Sequence, residues 1–219
     1  MQPVSKDCRF VVLISGQGSN LRAIVKSAVD QALPASFVKV ISNQPDAPGL
    51  MWAQEQGLET AVLSHRDFSS RETFDAALAD LVEDCQPDYV LLAGFMRILT
   101  ENFVRRFENR MINIHPSLLP AFTGLKTHER ALDACVGWHG CTVHFVTPEL
   151  DHGPIIAQAA LEVACDDTPT TLAARVQVLE HRLFPQVVQW LALGLVSVDS
   201  QGKVHVRGVS NRHIKGYSQ

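Results

Sequence analysis

The 219-residue chain has few aromatic residues (7%), no surplus of positive charge and no apolar run of membrane-spanning length. Nineteen Lys and Arg stand against 23 Asp and Glu, a formal net charge of −4. That leaves no cationic field with which to gather a polyanion, so nucleic acid is not an expected partner. The longest uninterrupted apolar stretch, Tyr89 to Met96, contains a glycine and falls far short of the ~20 residues a spanning helix needs, so no membrane association is expected. Ahead of Phe10 no basic segment leads into an apolar one, and Phe10 to Ile14 runs at once into polar, glycine-rich sequence. This argues against a secretory leader and for a cytoplasmic protein. The five cysteines (Cys8, Cys85, Cys135, Cys141, Cys165) are odd in number and form no C-x-x-C pair, as expected of reduced thiols rather than a disulfide framework. What remains is ordinary globular composition, 46% hydrophobic and 19% charged, enough for one sizeable core.

Hydrophobic periodicity gives the organisation. Phe10 to Ser15 reads as a β-branched strand, Gly-Gln-Gly-Ser-Asn as a loop, and Leu21, Ile24, Val25, Ala28 and Val29 as the stripe of a helix. The alternation continues with a strand at Phe37 to Ile41, a helix at Gly49 to Gln56, a strand at Thr60 to Leu63 and a helix from Arg71 to about Cys85, capped by Ser70. Asp88 to Ala93 is almost wholly apolar, as a central strand covered on both faces must be. A short helix at Thr100 to Phe107 and a strand at Arg110 to His115 follow. The expected fold class is α/β: a doubly wound, mostly parallel sheet with helices on both faces, whose ligands sit beyond the carboxyl ends of the strands. Beyond Pro116, strands at Cys141 to Val146 and Ile155 to Val163 are separated only by a loop, which predicts an antiparallel pair at the sheet edge. Thr168 and Pro169 open a long helix with a kink expected at Pro185 and a stop at Gly194. Val196 to Val198 and Val204 to Val206 flank a turn, and the last dozen residues read as frayed. The expected division is a tail at 1–9, a single domain at 10–207 and a second tail at 208–219.

Three places carry candidate chemistry. The loop Ser15 to Asn20 lies between a strand and a helix, where free backbone N–H groups and the helix dipole favour an anion. It lacks the third glycine of a dinucleotide fingerprint and the Gly-Lys-Ser/Thr of a Walker loop, which leaves a site for one small phosphate, or a tight turn with Ser19 as the N-cap. In Asn113-Ile114-His115-Pro116 a strand ends at a histidine, and period-2 alternation puts Asn113 and His115 on one face. An amide donor beside an imidazole there suits charge developing on an oxygen. Asp151, in the Thr147 to Pro154 loop, could orient His115, keep it charged and accept a proton through water, or it could be a solvated turn residue. His139, Cys141 and His144 do not have the spacing of a zinc site, and Cys141 and His144 face opposite sides of a strand, so no metal is expected; His144 is retained as an auxiliary polar group. No nucleophile elbow is present, so the attacking group is expected to belong to a substrate.

Five segments, GQGSNL (16–21), AGFMRIL (93–99), NIHPSLLP (113–120), HGCTVHFV (139–146) and ELDHGP (149–154), together resemble the phosphoribosylglycinamide formyltransferase family, in matching order over about Phe10 to Gly194. The resemblance implies a formyltransferase-like domain that moves the formyl group of 10-formyltetrahydrofolate to the amine of glycinamide ribonucleotide in purine synthesis. It implies Asn113, His115 and Asp151 as the catalytic trio, and Gly18, Ser19 and Asn20 on the ribonucleotide phosphate with Gln177 and Glu180 near the same substrate. It places Arg71, Met96, Arg97, Ile98, Leu99, Thr147 and Asp151 around the folate. Small molecules are the expected partners, and the chain is expected to be a monomer or weak homodimer. A formyltetrahydrofolate hydrolase and a non-catalytic folate- or nucleotide-binding module are the competing readings. Methionyl-tRNA formyltransferase would require an added basic RNA-binding domain. Pro148 and His152, beside Asp151, and Thr123 and Lys126, after the second motif, depart from the family's pattern.

Overall fold

The computed structural model describes residues 7–215. Strands β1 (Cys8–Ile14), β2 (Ala35–Ser42), β3 (Thr60–Val62), β4 (Tyr89–Leu92) and β5 (Met111–His115) alternate with helices α1 (Ser19–Asp30), α2 (Pro48–Glu55), α3 (Arg71–Glu83) and α4 (Glu101–Arg106). Helix α5 (Thr127–Asp133), strands β6 (Trp138–Phe145) and β7 (Ile155–Glu162) and the long α6 (Pro169–Ala192) follow. The short strands β8 (Val196–Val198), β9 (Val204–Val206) and β10 (His213–Lys215) complete the described chain. The main sheet has the order β10-β7-β6-β5-β4-β1-β2-β3, while β8 and β9 pair separately. From β3 to β5 all neighbours are parallel; β5-β6 and β6-β7 are antiparallel.

Alternation along the strands decides which helices cover which face. Phe10, Val12 and Ile14 enter one cluster with side chains of α1, α2 and α6, whereas Val11 and Leu13 enter the other with side chains of α3 and α4. Both faces are therefore dry. Burying a side chain such as Leu13 or Leu183, each with no exposed surface, contributes about 1.5–3 kcal/mol over leaving it in water, which is why a central strand reads as an unbroken apolar run. Helix ends follow their local chemistry: Ser70 and Thr168 each close a reciprocal capping box with the threonine three residues on, and Pro169 occupies the first turn of α6. Helix α6 continues through Pro185 as one element, and Gly194 takes the left-handed conformation just past its end.

Three features differ from the sequence reading. Strand β1 begins at Cys8, because Cys8 and Arg9 already pair with Ala35 and Ser36 of β2; of the rest of the expected tail, Asp7 precedes the strand and 1–6 lie outside the described residues. The β6-β7 pair is antiparallel and on the expected side of the sheet, but a further short strand, β10, adds outside it in parallel to β7 through His213, Ile214 and Lys215. Part of the segment read as frayed is thus an outer strand, and 216–219 lie outside the described residues. A three-residue strand with one partly buried side chain, Ile214, is too short for its alternation to be read from sequence. Helix α5 was not anticipated.

Parallel order reverses direction about β1 and β4, the switch point at which two successive crossovers part to opposite sides. The loops after β1 and β4 open side by side there. Ser15 ties them together: its N–H donates to Gly94 O at 3.0 Å, its hydroxyl donates to Asn43 Oδ1 at 2.6 Å, and the same oxygen accepts from Met96 N at 2.8 Å.

Candidate active site

The loop after β1 packs tightly. Gly18, with φ of 70°, is the N-cap of α1 and makes no side-chain cap, so the first N–H groups of the helix stay free for a ligand and Ser19 lies inside the helix rather than capping it. A Cβ on Gly18 would stand 2.9 Å from Gly49 Cα at the start of α2, a contact only glycine permits. The structure brings the two distant halves of the proposed ribonucleotide site together. Gln177 Nε2 donates to Ser19 Oγ at 3.2 Å, and Asn20 Nδ2 donates to Glu180 Oε2 at 2.8 Å. Burial raises the Glu180 carboxyl above its ordinary range, partly offset by the Asn20 donation. Asn20 Oδ1 is buried with no partner, an acceptor left over for something else.

Across the switch point, Met96 and Ile98 are 75% and 59% exposed, although apolar side chains of a core would be covered. Arg97 lies over the Phe74 ring at 5.1 Å, a cation–π contact that extends a flat surface, and its Nε is buried without a partner. Arg71 begins the same helix one turn before Phe74. Leu99 packs against the α3–α4 cluster and anchors the segment. Thr147 Oγ1 donates to Glu149 O at 3.1 Å, closing the turn that leads to Asp151.

Next to the β4 loop in the sheet order stand the polar groups at the end of β5. Asn113 lies opposite His144, and His115 opposite Thr142. His144 is 2% exposed. Its Nδ1 donates to Phe145 O at 2.8 Å, which fixes the tautomer and leaves Nε2 as an acceptor for Asn113 Nδ2 at 3.3 Å. Burial, its largest influence, lowers the His144 pKa, so the ring stays an acceptor at neutral pH. His144 thereby orients the Asn113 amide with its remaining hydrogen free.

The His115 and Asp151 side chains are each 7% exposed. His115 Nε2 donates to Phe122 O at 2.9 Å, and its Nδ1 stands 3.6 Å from Asp151 Oδ2, close enough for charge pairing but longer than a hydrogen bond. Asp151 Oδ2 instead accepts from Gly124 N at 2.8 Å. Asp151 has a left-handed φ of 57°, and the loop can fold back over β6 because Gly153 lacks a Cβ: one there would lie 1.8 Å from Phe145 O.

Of the residues that raised the question of a metal, His139 and Cys141 share the strand face opposite His144. His139 is bonded to His128 at 3.1 Å and is held largely neutral, its pKa lowered to about 4, chiefly by burial. Sequence reasoning missed Thr142, Gln158 and the Phe122–Gly124 backbone, all of which touch the His115 neighbourhood. Strand register, invisible until β5, β6 and β7 are paired, brings Thr142 and Gln158 there, and the return of the loop after β5 brings the Phe122–Gly124 backbone.

Residues 8–188 match the formyl transferase family model. The chain is 46% identical to the phosphoribosylglycinamide formyltransferase of Escherichia coli (strain K12) over 185 residues, 84% of this chain and 87% of that protein. It is 45% identical over 199 residues, 91% of its own length, to the trifunctional purine biosynthetic protein adenosine-3 of Bos taurus, of which it spans only 20%. Among solved structures, phosphoribosylglycinamide formyltransferase from Coxiella burnetii superposes with a TM-score of 0.88 at 44% identity, covering 95% of this chain and 99% of that one. The enzyme from Brucella melitensis gives 0.81 at 47%, covering 88% and 99%. With the family model matched over residues 8–188, 46% identity across most of the Escherichia coli enzyme and the same fold as the Coxiella burnetii one, the chain belongs to the phosphoribosylglycinamide formyltransferases of the formyl transferase family.

Proposed function

We propose that the protein transfers the formyl group of 10-formyltetrahydrofolate to the amine of glycinamide ribonucleotide, giving formylglycinamide ribonucleotide and tetrahydrofolate in purine synthesis. The observation that carries this reading is the cluster at the end of β5. Asn113 is oriented by His144, and His115 stands 3.6 Å from Asp151, on the rim where the loops after β1 and β4 open. The free N–H groups of α1 suit the ribonucleotide phosphate, with Gln177 and Glu180 alongside. Met96, Arg97, Ile98 and Leu99, with Arg71, Thr147 and Asp151, form the folate wall. The buried, unpartnered Asn20 Oδ1 and Arg97 Nε offer one acceptor and one donor to bound ligands, so the residues present fit both small molecules.

The substrate amine attacks the formyl carbon, a tetrahedral centre forms, and its oxygen gains negative charge. The free Asn113 amide hydrogen points to that oxygen, and the His115 Nε2–H reaches it when the oxygen replaces Phe122 O as acceptor. Loss of one such donor typically costs ~10²–10³ in turnover. Asp151 pairs with the charged ring and, through water, takes a proton from the attacking nitrogen. The bond between the formyl carbon and N10 of the folate then breaks, and that nitrogen leaves with the proton. Neither an enzyme nucleophile nor a metal is needed for this balance.

One assay tests the reading: the protein is mixed with 10-formyltetrahydrofolate, with and without glycinamide ribonucleotide, and tetrahydrofolate release is followed. Release that requires the amine supports the transferase. Release without it identifies a hydrolase, and no release at all identifies a binding module.

A further inference from the structure

We propose that Gln158, on β7, is a positioning residue that sets the orientation of His115 through the loop between them. The inference rests on the reading of His115 as the group that stabilises charge on the formyl oxygen.

Register brings the parts together. His115 lies opposite Thr142, and Thr142 opposite Gln158, so the three side chains form one polar row across β5, β6 and β7, on the face that carries Asn113. At the centre of the row the Thr142 hydroxyl, with no exposed surface, is saturated. It donates its single hydrogen to Ser117 O at 2.7 Å and accepts from Leu119 N at 3.0 Å and Gln158 Nε2 at 3.0 Å. Gln158 Nε2 also donates to Leu119 O at 2.9 Å, and Ser117 Oγ donates to Ala121 O at 2.7 Å. One amide group therefore closes a knot that grips residues 117 to 121 directly behind His115.

The loop so held delivers both contacts that place the catalytic pair. Phe122 O, one residue past the knot, takes the His115 Nε2 hydrogen, and Gly124 N, two residues further, holds Asp151 Oδ2. Moving the loop moves the acceptor of one group and the donor to the other together. The base of the clamp is itself fixed, because Gln158 N donates to Arg212 O at 3.1 Å where β10 joins the sheet. Packing alone does not explain an amide here: a methionine fills similar space, but it leaves Leu119 O and one Thr142 lone pair without a donor, a cost that falls on the loop.

The test compares wild type with Gln158→Met and Gln158→Glu, and with His115→Ala as reference. Displacement of a reacting group by about 1 Å can cost ~10²-fold, so kcat of folded Q158M is expected to fall ~10–10²-fold with KM for both substrates nearly unchanged. The ring ¹⁵N and ¹H resonances of His115 are expected to shift in the same variant. A role confined to packing predicts lower stability, unmoved His115 resonances and wild-type kcat, and that result overturns the proposal. If both variants fail to fold, hydrogen exchange in the wild-type protein decides: strong protection of the Gln158 side-chain amide and of Leu119 N–H supports the clamp, and rapid exchange at either overturns it. Should H115A keep wild-type turnover, the catalytic reading of His115 fails, while the His115 resonances in Q158M still decide whether Gln158 positions the ring.

Discussion

Replacing His144 with leucine removes the acceptor that orients the Asn113 amide and leaves both strands and most of the buried volume in place. The effect has a ceiling and a floor that the geometry supplies. The ceiling is complete loss of the Asn113 donor, ~10²–10³ in turnover. The floor is the worth of the lost contact, a neutral hydrogen bond at 3.3 Å, near the long end of useful distances and so toward the lower part of the ~0.5–1.5 kcal/mol range. At 1.4 kcal/mol per factor of ten, kcat of H144L should drop about two- to fivefold. Because His144 acts through Asn113, the double variant N113A/H144L should be no slower than N113A alone. Steady-state kcat for the four proteins, read as a double-mutant cycle, checks this. Multiplicative losses, or an H144L defect deeper than that of N113A, would refute the orienting role and place His144 in direct contact with the reacting atoms.

Two further outcomes are expected. Ser19→Asp sets a carboxylate beside the proposed phosphate; two charges ~4 Å apart repel by about 1–4 kcal/mol between bulk water and a protein surface, so KM for the ribonucleotide should rise about tenfold or more, and an unmoved KM would reduce the loop to a turn. Acid should destabilise the fold. His139, lowered to about 4 chiefly by burial, and His128, His144 and His181, lowered by the same cause, are held neutral when folded but take up protons near pH 6.5 when unfolded. The unfolded state therefore binds more protons as pH falls through that value, and each group removes up to ~1.4 kcal/mol of stability per pH unit until its folded pKa is reached. The raised Glu180 carboxyl works in the opposite direction, one group against four. Urea midpoints at pH 7 and pH 5 check the sum, and an equal or higher midpoint at pH 5 would contradict it.

What could be read from the sequence was local. Runs such as Phe10 to Ile14 and Val90 to Leu92 carry their burial in their composition, and Ser70, Thr168 and Pro169 announce helix starts because capping involves residues three apart. Asn113 and His115 could be placed on one face because the strand period is two. What could not be read depends on pairing. The grip of Thr142 and Gln158 on Leu119 spans 23 and 39 residues, and the Asp151 to Gly124 contact spans 27. The β7 side of the register shifts between Val143 and His144, and nothing in a linear pattern marks it. Strand β10 escaped because its inward face is a single residue, Ile214, too short a pattern to mark a strand.

The central claim is that Asn113, His115 and Asp151 act on one formyl group. Single-turnover transfer from 10-formyltetrahydrofolate to glycinamide ribonucleotide, measured in N113A, H115A and D151N after circular dichroism has shown each to be folded, tests it most directly. Each variant should be slower by ~10² or more, and a near-normal rate in any of them would contradict the assignment of that residue to the chemistry.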